Sequence, residues 1–94
     1  MEEFNHFVFY DIEKDGVRLR VSETCKDYGL ERIQFSGFMG RLTRNMREEL
    51  FLKLTDAVKE GAGKILILPV CDKDYRNRLE FAVEPEDGDD SARG

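Results

Sequence analysis

The sequence predicts an α+β domain in which an antiparallel sheet carries two helices on one face. Three observations predict it. Short apolar stretches of strand length alternate with stretches of helical periodicity, their order is β-α-β-β-α-β with one extra strand, and 94 residues supply enough apolar material for one core but not for two.

Residues 5–12 (NHFVFYDI) form a continuous aromatic and β-branched run, the pattern of a central strand buried on both faces, with Asp11 at its C-terminal end. After the polar turn 13–16, Val17, Val21, Cys25 and Tyr28 recur at spacings of four, four and three, which sets them on one stripe of a helix closed by Gly29. Arg18 and Arg20 fall off that stripe near the helix N-terminus, where cations oppose the macrodipole unless an anion lies close by. Residues 30–35 and 37–42 read as two short strands broken at Ser36-Gly37, with Ile33 and Phe35 on one face and Arg32 and Gln34 on the other. Thr43 or Asn45 can cap the next helix, and Asn45 with Glu48 has capping-box spacing. That helix runs to about Glu60 on an apolar face of Met46, Leu50, Leu54 and Val58, and Gly61-Ala62-Gly63 stops it. Residues 64–71 (KILILPVC) read as a second fully buried strand, although Pro69 implies an edge or an end of pairing. A charged connector leads to Leu79, Phe81 and Val83, which alternate with polar or small residues as in a short extra strand. The order defines the ferredoxin-like split βαβ arrangement. Such a sheet leaves its second face open, and a symmetric dimer covers it most simply, with Leu79–Val83 adding to a sheet edge of the partner.

Composition bounds the function. The chain is 40% hydrophobic and 37% charged, and its longest apolar stretches fall far short of the roughly 20 residues of a membrane span. The N-terminus lacks the features of a secretory signal, so a cytoplasmic location without membrane contact is expected. Cys25 and Cys71 lack zinc-ligand spacing and read as buried reduced thiols. The formal charge of -5 is concentrated at one end: residues 84–94 hold five acids and one base, a net of -4, leaving residues 1–83 with 15 acids and 14 bases. The expected organisation is therefore a domain over 1–83 and an acidic disordered tail over 84–94, a tail expected to compete with nucleic acid for the arginines. The body holds eight arginines against six lysines, the preference expected where phosphate or carboxylate is gripped bidentately.

Few residues are equipped for chemistry, and any active site on so small a chain is shallow or shared between subunits. His6 is the only histidine and has no recognisable nucleophile beside it, and no P-loop or dinucleotide fingerprint is present. Asp11 stands out, since a carboxylate ending a buried aromatic strand needs a cation or donor nearby; it caps the turn, or pairs with Arg18 or Arg20, or serves a site. Arg18, Arg20, Arg32 and Phe38 are of the types that contact phosphate and stack bases.

Tyr10-Asp11-Ile12, Val17-Arg18-Leu19-Arg20-Val21, Tyr28-Gly29-Leu30-Glu31-Arg32-Ile33-Gln34, Ser36-x-Phe38-x-Gly40 and Leu68-Pro69-Val70-Cys71, in this order, resemble the small CRISPR-associated adaptation family Cas-two over residues 5–83. The resemblance implies a ferredoxin-like homodimer that in some members is a metal-dependent endonuclease on RNA or DNA and that bridges Cas-one integrase dimers during spacer acquisition. It implies Asp11 as the metal-binding and catalytic acid with Tyr10 beside it, and Arg18, Arg20, Arg32 and Phe38 as the nucleic-acid surface. Gly37 and Met39 depart from the family's usual Ser-Val-Phe-Glu pattern, which removes one acid. The expected cofactor is Mg²⁺, with Mn²⁺ as a substitute: two Asp11 carboxylates across a dimer axis would share one hydrated ion. The expected partners are a second copy, the Cas-one integrase, and duplex DNA or single-stranded RNA. The rival readings are a non-catalytic adaptor for DNA and integrase, a VapD-like ribonuclease toxin on a similar fold, and a small-ligand regulatory domain of the ACT kind.

Overall fold

A computed structural model describes residues 2–59 and 61–83. The elements are β1 (Glu3–Ile12), α1 (Asp15–Asp27), β2 (Glu31–Gln34), β3 (Gly37–Thr43), α2 (Arg44–Val58), β4 (Gly63–Val70) and a short α3 (Asp72–Arg76). The strands form one antiparallel sheet in the order β2-β3-β1-β4, which is the ferredoxin-like order. The break between β2 and β3 falls at Phe35-Ser36, as the glycine after it suggests.

Alternation along β1 sorts its side chains. His6, Val8, Tyr10 and Ile12 are buried beneath the helices, while Phe7 and Phe9 are half-buried and Asp11 exposed on the opposite face. Val17, Val21 and Cys25 of α1, Leu50, Leu54 and Ala57 of α2, and Leu30, Phe38 and Leu42 complete the core. Gly29 ends α1 at φ 82°, a left-handed conformation that glycine adopts without steric cost. Thr43, rather than Asn45, caps α2: its hydroxyl accepts from the Met46 amide at 3.1 Å. The α2 helix closes at Val58, with Glu60 outside the described residues.

Three expectations need correction. β4 lies at the sheet edge, in keeping with Pro69, but is not buried on both faces: Ile65 and Ile67 pack toward the core, whereas Leu66 and Leu68 are 54% and 46% exposed on the open face. A continuous apolar run is the same whether its second face is covered within the chain or left for another surface. Cys71 is exposed, because it follows the end of that edge strand, while Cys25 is buried as expected. The stretch after Cys71 is not all connector: Asp72 and Asp74 begin the helical turn of α3, where acids suit the helix dipole. α3 lies over the open face, with the Tyr75 ring 6.3 Å from Phe7 and its hydroxyl 3.3 Å from the Met39 sulfur.

Among the described residues, 79–83 make no ladder, so the extra strand has no partner strand there; Leu79 and Phe81 are 97% and 90% exposed. The acidic tail from Glu84 onward lies outside the described residues. Among the described residues no helix is long and apolar enough to cross a membrane.

Candidate functional site

Tyr10 and Asp11 are neighbours in sequence but project from opposite faces of the sheet, and this divides the expected site in two. Asp11 lies on the open face at the end of β1, opposite Lys64 of β4 in the ladder. With Glu13, Ala62, Gly63 and Lys64 it lines a shallow depression of about 190 Å³. Its side chain is exposed and is not desolvated by the strand it ends. Nor do the contacts of Arg18 among the described residues join it to Asp11. That guanidinium reaches the Ile12 carbonyl at 2.9 Å and pairs with Asp15, so Asp15 is the anion that offsets a cation in the first turn of α1.

On the helix-covered face, Tyr10, Asp15, Arg18, Leu19, Ser22, Arg32 and Phe35 line a cleft of about 230 Å³. Tyr10 is 6% exposed, and its hydroxyl makes no hydrogen bond. Burial pushes the Tyr10 phenol above its ordinary value, and the Arg32 guanidinium, near but without hydrogen-bond geometry, opposes part of that rise. Arg32 donates to the Phe35 carbonyl and lies 5.0 Å from the centre of the Phe38 ring, while Arg18 lies 5.5 Å from that of Phe35.

Phe38 itself is fully buried, 6.3 Å from the Tyr10 ring, and so has no free face for a base. Its ring holds Arg32 from below, and the exposed ring on this side is Phe35, 74% exposed. Phe35 and Asp15 were missed in the sequence, although the three-residue spacing of Asp15 and Arg18 is a legible sign of a helical ion pair. Arg20 is exposed on α1 and does not line the cleft.

The two departures from the family pattern have local counterparts. At Gly37 a Cβ would lie 3.1 Å from the Phe9 ring, and Met39 receives the Tyr75 hydroxyl that docks α3. Among the described residues no three His, Cys, Asp or Glu side chains gather as a metal site. His6 is buried, with Nδ1 2.8 Å from the Phe4 carbonyl and Nε2 3.5 Å from Arg47, an environment that serves packing rather than catalysis.

Sheet order, helix placement and an arginine cleft beneath a carboxylate-tipped strand define a small ferredoxin-like protein with one sheet face uncovered. The chain belongs to the CRISPR associated protein Cas2 family, whose family model matches residues 5–78. A relative from Desulforudis audaxviator, named CRISPR-associated endoribonuclease Cas2, is 52% identical over 86% of this chain and 74% of its own length. A CRISPR-associated endonuclease Cas1/endonuclease Cas2 fusion from Thermoproteus tenax is 35% identical over 86% of this chain and 31% of the fusion. The crystal structure of Streptococcus pyogenes Cas2 superposes with a TM-score of 0.70 at 24% identity, covering 84% of this chain and 99% of that one, a likeness of fold.

Proposed function

We propose that two copies of this chain pack open face against open face, and that the dimer acts in CRISPR spacer acquisition as a metal-dependent endonuclease on RNA or DNA, in company with a Cas1 integrase. The observation that carries this reading is the position of Asp11 at the rim of an apolar face that α1 and α2 leave uncovered. Phe7 and Phe9, stacked at 6.1 Å, lie on that face with Leu66 and Leu68, and burying it against a second copy is favourable by about 25 cal/mol per Å² of apolar area. A two-fold axis through the face would bring a second Asp11 toward the first.

Mg²⁺ suits such a site, since it keeps most of its waters and needs only one or two carboxylates. One chain offers Asp11, with Glu13 in the same depression and Lys64 as a competing cation, so the fit requires the second copy. A divalent ion held there supplies a more acidic water and a counter-charge for phosphate. The Asp11 carboxylates would hold it, and Arg20 would bind the strand backbone from α1. The Cas1 partner is supported by the fusion relative, whose name joins the two proteins in one chain.

The second reading is a non-catalytic adaptor. It is favoured by the lack of a three-ligand cluster among the described residues and by the separation of Tyr10 and Phe38 from Asp11. Asp11→Asn distinguishes them. With labelled RNA and DNA in Mg²⁺, the endonuclease reading expects cleavage by wild type and a loss of at least about 100-fold in the variant, the scale of a removed general-base or metal function. Undiminished cleavage by the purified variant withdraws Asp11, and strand binding without cleavage by wild type establishes the adaptor.

A further inference from the structure

We propose that the cleft between α1, β1 and β2 is a binding site for a phosphate monoester, held by Arg18, Arg32 and the Tyr10 hydroxyl and occupied in its absence by the carboxylate of Asp15. Three observations lead there independently of Asp11, which lies on the other face of the sheet.

The first is Tyr10, which lines the cleft, is more than nine-tenths buried and has a hydroxyl without a hydrogen-bond partner. Buried hydroxyls are almost always paired, so an unpaired one on a residue that lines a cavity marks a missing acceptor. Its neutral phenol can only donate to an anion, and burial keeps it neutral.

The second is Arg32. Among the described residues it makes no salt bridge; one donor goes to the Phe35 carbonyl and its plane rests near the Phe38 ring. An arginine fixed by a carbonyl and a ring, with its other donors uncommitted beside a cavity, has the geometry for bidentate grip of a tetrahedral oxyanion.

The third is the internal stand-in. Arg18 is anchored to the Ile12 carbonyl and already holds an anion, the Asp15 carboxylate, whose side chain is 90% exposed and therefore free to move aside. Among the described residues Asp15 is the only acid lining the cleft, so its departure leaves two guanidinium groups and the Tyr10 phenol for the incoming group. At about 230 Å³ the cavity admits one phosphate and a little more, with Leu19 and Phe35 as apolar walls for what the phosphate carries. That volume suits a strand end or a free phosphate. The Ser22 hydroxyl is committed to the Leu19 carbonyl at 2.9 Å and adds no donor.

The carrier of the phosphate depends on the nucleic-acid reading above; the anion site itself does not. The test uses the full chain in chelator, so that no cleavage intervenes, and follows binding of inorganic phosphate and of two oligonucleotides that differ only in a 5′-phosphate or 5′-hydroxyl. Wild type should bind inorganic phosphate, with Arg32→Gln weakening it about tenfold or more as a charge-assisted bidentate contact is lost. Tyr10→Phe should weaken it about threefold through the lost hydroxyl. Asp15→Asn should tighten it about threefold, because a competing internal charge is removed. The phosphorylated oligonucleotide should bind more tightly than its hydroxyl twin and be displaced by inorganic phosphate. Absence of phosphate binding, or unchanged affinity in Arg32→Gln and Asp15→Asn, overturns the site, even where hydroxyl-ended strands still bind and the nucleic-acid reading survives. Phosphate binding that obeys all three variants, with no preference for the phosphorylated strand, upholds the anion site and overturns the strand end as its source.

Discussion

At the scale of single residues, burial decides which chemical groups this chain can use. Cys25 is buried and its thiol is pushed up to about 12, so it stays protonated and unreactive, while Cys71 is exposed with its Sγ 3.4 Å from Asp74 Oδ2. His6 carries a pH dependence. Burial, aided by the Arg47 charge, holds its imidazole below the ordinary 6.5, against a smaller raising effect of the Phe4 carbonyl. The unfolded chain therefore binds this proton more readily than the folded one. The His6 contribution to stability is complete above pH 6.5 and is lost as the pH falls from there through the lowered folded value. Thermal unfolding should shift to lower temperature over that interval, and His6→Gln, which cannot titrate, should flatten that part of the profile. An identical slope in the two proteins would remove His6 as the cause.

At the scale of elements, one close approach ties the end of α1 to the sheet. Gly40 of β3 lies under Leu30, and a Cβ there would come within 2.5 Å of the Leu30 Cδ2 atom and 3.2 Å of its Cα. The side-chain end can rotate away, but the backbone atom cannot, so Gly40→Ala should destabilise by about 1–3 kcal/mol, the usual cost of overpacking. Urea unfolding measures this, and a midpoint equal to that of wild type would show that the Leu30 turn shifts freely. The two helices are also joined across the surface: the Tyr28 hydroxyl at the end of α1 donates to Glu49 of α2, and the Lys53 ammonium sits 5.1 Å from the Tyr28 ring. These exposed contacts orient the helices and add little stability.

At the scale of the whole molecule, the two faces of the sheet differ in kind. One is covered by α1 and α2, whereas among the described residues the other is met by α3 and by residues 78–82, which with Phe7, Ile33 and Met39 line a cavity of about 450 Å³. The proposed dimer would close this face. Leu68, which pairs with Phe7 in the ladder, is 46% exposed in the single chain, so Leu68→Glu should leave the fold intact and break the dimer. Light scattering should then report a monomer with an unchanged circular dichroism spectrum. A variant that remains dimeric would place the interface elsewhere.

The sequence by itself determined the order of elements from β1 through β4, the stripe of Val17, Val21 and Cys25, the turn at Gly29 and the break before Gly37, because each depends on periodicity or on a local backbone preference. Local patterning also marked Asp11, Arg18 and Arg20 as unusual. Tertiary structure decided the rest. The exposure of β4, the burial of Phe38, the position of Tyr10 and Asp11 on opposite faces and the capture of Arg18 by Asp15 all depend on which surfaces meet. Residue type and spacing can place a side chain on a face of a strand, but only the packing of helices on that strand makes one face interior and leaves the other open.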